Sequence, residues 1–372
     1  MLLRTIGPSV REGLVQLDAS NMHALSLGCA VLGGGGGGDP ALGLAMALLA
    51  VEEHGPVPVV DLDALADDPL VMPCGMVGAP AIADERIWNG NEGQTLQDIV
   101  EGLFGVPVGA LMCFEIGGAN GLLPVTWAAR CGLPLVDGDG MGRAFSYLEK
   151  QAMHLAGVGT SPIVLTDAGG STFVVRAAED AHAGHLARAA ATTFGGVCAA
   201  AFSCMTGARA RGSAISGSVS RAVSLGEAMR SETLEGRLAA AREQLGALVL
   251  IQGRVMDVTH GFETGVALDS TTIQGTGTDA GRQMRLELQS EFLLAVEDGA
   301  VLAATPDLIC LLAYETGDPI VIERLRYGQA VAVIAAPASE IWRSDAGLGL
   351  VGPRAFGYDV EYSPIMARAD AT

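Results

Sequence analysis

A chain of 372 residues is longer than one ordinary domain and reads as two, with 49% apolar residues to build cores and 51 glycines that allow close backbone approach. Lys and Arg total 22 against 42 Asp and Glu, a formal charge of −20 that excludes nucleic acid and anionic membranes as partners. Seven scattered cysteines without C-x-x-C spacing argue against a disulfide framework or a structural zinc site.

The first residues lack the layout of a signal peptide, and the longest apolar run, Ala41 to Val51, is shorter than the roughly 18 residues of a membrane span. A cytoplasmic protein with a small-molecule partner is expected, and a homo-oligomer is compatible with this composition. Apolar residues at helical spacing predict a helix from Met22 to Leu32 with Ser20 as N-cap. Six glycines, Gly33 to Gly38, end it, and Asp39-Pro40 opens a second helix to about Glu53. Short strands are predicted at Val57–Val60, Leu70–Val77, Ala110–Ile116 and Leu133–Val136. Helices are expected near Leu122–Arg130 and from about Gly142 to His154.

Strands alternating with helices give an α/β N-terminal domain with a mostly parallel sheet over residues 1–165. Residues 166–372 read as a β-rich α+β domain. Its helices, at Glu179–Phe194 and Gly226–Leu245, flank a strand at Gly195–Met205. From Ala247 onward short strands dominate, at Ala247–Val258, Gln283–Gln289, Phe292–Val296, Val301–Ala303, Leu308–Leu312 and Ala330–Ala335.

Several segments carry groups suited to chemistry. Glycines between two helices take positive φ and expose N–H groups, and the next helix adds its positive dipole end. Gly35, Gly36, Gly37 and Asp39 are therefore candidates to hold an anion or a polarised carbonyl oxygen, with a flexible linker as the alternative. Glu115-Ile-Gly-Gly-Ala-Asn120 and Asp137-Gly-Asp-Gly-Met-Gly-Arg143 both follow predicted parallel strands, where ligands of open α/β sheets bind. That placement gathers Glu115, Asn120, Asp137, Asp139 and Arg143 at one sheet edge. Paired carboxylates divide acid and base roles, and Glu115, Asp137 and Asp139 are also candidates for a divalent metal, although the preferred reading needs no cofactor. The bland alternatives are a helix cap for Asp139 and charge neutralisation for Arg143. Cys204, followed by Met205 and Thr206, sits where a strand gives way to a turn, and His260 in a turn between strands is a candidate acid or base. His182 and His185 read as a solvated pair.

In this order, the segments resemble the S-methyl thiohydantoin desulfurase family. The matching stretches are Gly28 to Pro40, Glu115 to Asn120, Asp137 to Phe145, Met205 to Gly207, Pro306 to Ile309, Leu325 to Gly328 and Gly352 to Tyr358. Members of that family often accompany hydantoinase and oxoprolinase genes. The resemblance implies an α/β domain followed by a β-rich domain, and hydrolysis of an S-methyl thiohydantoin to a hydantoin with release of methanethiol. Cys204 stands where relatives carry proline, and Gln289-Ser-Glu291 where they carry Gln-Asn-Glu. In the preferred mechanism Cys204 attacks as a thiolate, Glu115 or Asp139 keeps a ring nitrogen protonated, and His260 or a carboxylate activates water. The glycine loop, with Asn120, Asp137, Arg143, Met205 and Thr206, would contact the ring. A metal-assisted cyclic amide hydrolase and a non-catalytic hydantoin-binding subunit of a hydantoinase or oxoprolinase assembly are the alternatives.

Overall fold

The computed structural model describes residues 14–83, 85–259, 262–263, 266–267 and 269–365. Two sheets organise them. The first is ten-stranded, and its central path runs Val57–Asp61, Leu135–Asp139, Val108–Cys113 and Leu70–Gly78, all parallel. Leu70 to Val77 is buried without a break, the pattern of a strand covered on both faces. Beyond it lie Val197–Ala201, Ile163–Thr166 and Thr172–Val175, each antiparallel to its neighbour. Two short strands, Met205–Thr206 and Ile215–Ser216, pair at the N-terminal half of Leu70–Gly78 and the end of Leu135–Asp139. The first sheet thus takes strands from as far along the chain as residue 216, well past residue 165.

The second sheet is seven-stranded and antiparallel throughout. Its order is Ala300–Ala304, Phe292–Glu297, Gln283–Leu288, Asp269–Gly275, Leu248–Thr259, Ala330–Ala336 and Leu308–Ala313. The α/β first domain and β-rich second domain expected from sequence are therefore both present. Three helices lie between the sheets: Met22–Gly33, Ser218–Ala228 and Leu234–Leu245. One apolar cluster runs from Leu25 and Leu32 through Val219 and Leu245 to Cys310 and Ile334, so the two sheets share a core. Met22–Gly33 and Ser218–Ala228 meet backbone to backbone. A Cβ on Gly28 would lie 1.8 Å from the Ala222 carbonyl oxygen, and one on Gly226 would lie 1.8 Å from that of Ala24.

Five local readings change. The first helix has Asn21, not Ser20, at its N-cap, because Asp18 captures the Ser20 N–H and hydroxyl. Gly195–Met205 is not one strand: it stops at Ala201 and resumes at Met205, with Ser203 at a positive φ of 53° between. Gly226–Leu245 is two helices broken near Met229, and the strand Asp269–Gly275 was not anticipated. The helix expected from Gly142 to His154 shrinks to Ala152–Leu155. The cause is chemical. Nearby Asp139 accepts the N–H groups of Met141 and Gly142, the distant carboxyls of Glu115 and Glu291 accept those of Phe145 and Ser146, and the backbone follows those acceptors instead of coiling.

Candidate active site

A cavity of about 230 Å³ opens beyond the carboxyl ends of Leu70–Gly78 and Val108–Cys113. The first domain supplies Glu115 and Asn120 to its wall, and the second supplies Gln289, Ser290 and Glu291. Ser146, Tyr147 and Arg188 complete the polar lining. This is the place where open α/β sheets take ligands.

Two buried carboxyls face this space. Glu115 is 4% exposed: Oε1 accepts from the Asn120 amide at 2.6 Å and Oε2 from the Phe145 N–H at 3.2 Å. Asn120 is itself pinned, since its Oδ1 accepts from the Met76 N–H at 2.6 Å. Burial, with smaller contributions from the negative charges of Glu291 and Asp139, pushes the Glu115 carboxyl up to about 8. Glu291 is fully buried and accepts from the Ser146 N–H at 3.2 Å and the Ser146 hydroxyl at 2.6 Å. Burial raises it as well, opposed by its bonds to Ser146 and by the cations of Arg143 and Lys150. The two carboxyls, one from each domain, thus hold the consecutive amides of Phe145 and Ser146. Burial thus pushes both carboxyls up, to about 8 at Glu115, while at Glu291 the cations of Arg143 and Lys150 oppose the rise.

Asp137 and Asp139 do not join them. Asp137 sits at the start of helix Ser218–Ala228, where it accepts from the Val219 and Ser220 N–H groups and the Ser220 hydroxyl. Asp139 is fully buried and takes four donors: the N–H groups of Ile116, Met141 and Gly142, and the Ser218 hydroxyl. Burial lifts its carboxyl to about 6 against the pull of those bonds. With their oxygens committed to N–H and O–H donors, neither aspartate is free to share a cation with Glu115, which corrects the candidate metal set. Among the described residues no group of three or more His, Cys, Asp and Glu is arranged to hold a metal ion.

Arg143 also serves structure. Its Nη1 donates to the carbonyls of Pro306 and Asp307 at 2.9 and 2.8 Å, tying the two domains together away from the cavity wall. Asp39 caps the helix Pro40–His54 through the Ala41 N–H and pairs with Arg324 at 2.8 Å, a second tie between domains. The glycine run is neither a linker nor a full anion cradle. Gly34 and Gly35 carbonyls accept from Phe292 and Ile322 of the second domain, and a Cβ on Gly36 would lie 2.6 Å from the Ser290 carbonyl oxygen. Gly37 alone of the run lines the cavity, at φ 80°, where a Cβ would lie 2.2 Å from the Gly117 carbonyl oxygen.

Cys204 lies elsewhere. Its neighbour Met205 pairs with Val71, whereas the cavity begins at Met76 on the same strand, five residues or about 17 Å further along at the usual rise. Cys204 is half-buried against the first core cluster, and burial pushes its thiol up to about 12, so a thiolate is not available at neutral pH. Met205 packs in a small cluster with Leu62 and Val71, and Thr206 precedes the short helix Gly207–Arg211. None of the three touches the cavity. His260 lies outside the described residues. Of the candidates named from sequence, the cavity brings together Glu115, Asn120 and Gly37. Glu291, Ser146 and Arg188 were missed, and the only signal was that Glu291 lies in one of the segments compared with the family, Gln289-Ser-Glu291.

A parallel-centred α/β sheet and an antiparallel sheet that jointly enclose two proton-shifted carboxyls define a two-domain protein with an enzyme-like cleft. Family models place it more closely. The S-Me-THD-like N-terminal domain matches residues 20–177 and the S-Me-THD-like C-terminal domain matches residues 178–365, so the chain belongs to the S-Me-THD-like family. A crystal structure of a protein from Chromobacterium violaceum is similar in fold, with a TM-score of 0.77 at 22% identity, covering 95% of this chain and 100% of that one. Among curated proteins no match is found. Among the described residues no helix is long and apolar enough to cross a membrane.

Proposed function

We propose that the chain is a hydrolase that converts an S-methyl thiohydantoin and water into a hydantoin and methanethiol, with the cavity between Glu115 and Glu291 as its active site. Family membership supports the substrate class. The observation that carries the mechanism is that two buried carboxyls, one from each domain, line the same cavity, with cations opposing the rise of only one of them.

Glu115 gives its proton to the ring nitrogen of the carbon–nitrogen double bond, which makes the sulfur-bearing carbon more electrophilic. Glu291 takes a proton from water as the oxygen adds to that carbon. In the tetrahedral adduct the new hydroxyl returns its proton to Glu115 while the carbon–sulfur bond breaks. The departing sulfur takes the proton from Glu291, so both carboxyls regain their starting states. Asn120, fixed between Met76 and Glu115, holds the acid in one orientation. Attack by water replaces the Cys204 covalent route, because the thiol lies off the cavity and is protonated.

The test is a thiol-detecting assay of purified protein with S-methyl thiohydantoins. Release of methanethiol that persists in Cys204→Ala and is lost in Glu115→Gln is the expected result. A hydantoin that binds without any thiol release would replace the reading with a non-catalytic ring-binding protein.

A further inference from the structure

A second cavity, of about 40 Å³, shares no lining residue with the first. Its wall is mostly apolar, with Leu32, Leu245, Leu308 and Trp342, yet two arginines and a serine also line it. Arg143 is 4% exposed. Its Nε and Nη1 donate to the carbonyls of Ala144, Pro306 and Asp307, but its Nη2 is buried and finds no partner among the described residues. The carboxyls of Glu291, Asp307 and Glu115 act on it only from beyond ion-pair distance. Arg221, on helix Ser218–Ala228, is exposed and pairs with no carboxylate among the described residues. Asp139, whose charge reaches it, is already committed to four donors. Ser339 stands at the N-cap of the short helix Glu340–Arg343, but its hydroxyl makes no capping bond and is buried without a partner. Buried polar groups without partners are rare. Two beside one cavity, with an unpaired arginine next to them, are the complement of an anion.

We propose that this second cavity binds a small aliphatic carboxylate, of the size of acetate, whose oxygens take donors from Arg143, Arg221 and Ser339 and whose methyl group meets the apolar wall. The space suits that size, since a water needs roughly 10–15 Å³ by the same measure and about three fit. A carboxylate matches the guanidinium fork, and its apolar end suits the remaining side chains. A sulfate or phosphate dianion is disfavoured, because it would bury more charge against a wall that is mostly apolar and beside the Asp139 carboxyl. Arg143 follows a strand of the first sheet, Ser339 follows a strand of the second, and Arg221 lies on a helix between them. The bound anion therefore joins the two domains where Arg143 already ties them, and its occupancy stabilises their packing. This site is independent of the ring chemistry above.

Thermal unfolding of the full chain in rising sodium acetate, with sodium chloride holding the ionic strength constant, reads the binding directly. The midpoint is expected to climb by at least about 2 °C and to level off, as occupancy of a site does and a general salt effect does not. Arg221→Met and Ser339→Ala are each expected to remove at least about half of that rise, and Arg221→Lys to keep part of it. Arg221 is exposed, so its replacement leaves the fold in place to be measured. Arg188→Met, in the first cavity, is expected to leave the rise whole. No rise beyond the chloride control, or one undiminished in Arg221→Met, overturns the proposal. So does a rise abolished by Arg188→Met, which puts acetate in the first cavity. An equal rise with sulfate that depends on Arg221 in the same way overturns the carboxylate assignment.

Discussion

Asp137 and Asp139 at the end of one strand, and Glu115 and Glu291 across the cavity, are four carboxyls buried to nearly the same degree. Their surroundings separate them. Asp139 accepts four donors, about as many as a carboxylate has lone pairs to offer, and Asp137 accepts three at a helix start. Glu115 and Glu291 accept two each and keep the rest of their capacity toward open space. Burial alone therefore does not mark a catalytic acid. What marks it is acceptor capacity left over beside a cavity, whereas Asp139 fixes the loop that carries Glu115 through the Ile116 N–H.

The comparison breaks most decisively at Asp139. Asp139→Ala leaves two buried N–H groups and a part-buried third without their acceptor, and at about 1–3 kcal/mol each the expected loss is at least about 3 kcal/mol, read by denaturant unfolding. An aspartate that served only catalysis would leave stability near its original value. Next, Glu115→Gln and Glu291→Gln are expected to lower kcat/KM for methanethiol release by about 10²–10³ while the thermal midpoint stays within a few degrees. Loss of stability without that rate effect would return both glutamates to the structural class.

The pH profile sharpens the contrast. Glu115 works protonated, so activity is expected to fall as pH rises through about 8, and Glu291 works ionised, so the acid limb lies above the ordinary glutamate value. The same shift has a stability consequence. Because the native state holds the Glu115 proton more tightly than the unfolded chain, the stabilisation is full below about 4.5 and is lost as pH rises to about 8. Glu115→Gln is expected to flatten that part of the stability curve, measured by unfolding at fixed denaturant across the range. The smallest effect is expected at Cys204→Ala, with turnover within about twofold of the original. A large loss of rate there, with the fold intact, would bring the thiol back into the mechanism.

Part of this site was legible in the chain. Glu115 and Asn120 follow a β-type run and flank a Gly-Gly turn, so their position at a sheet edge comes from local pattern alone. Asp139 at a turn was legible too, but its orientation was not. That depends on Ser218, 79 residues away, and on the Ile116 amide in the loop after another strand. Cys204 was misplaced for a related reason. A strand end was expected at the right point of the chain, yet Met205–Thr206 pairs with the opposite half of Leu70–Gly78 from the cavity.

By itself the sequence determined the two-domain division of labour, the alternation that makes the first sheet parallel at its centre, and the family, because periodicity and motif order are local properties of the chain. Tertiary structure alone decided which carboxyls face a cavity. Glu115 and Glu291 lie on different domains and meet only because Phe145 and Ser146 present adjacent N–H groups between them. Proton affinity and acceptor capacity are set by neighbours distant along the chain, and no window of residues contains them.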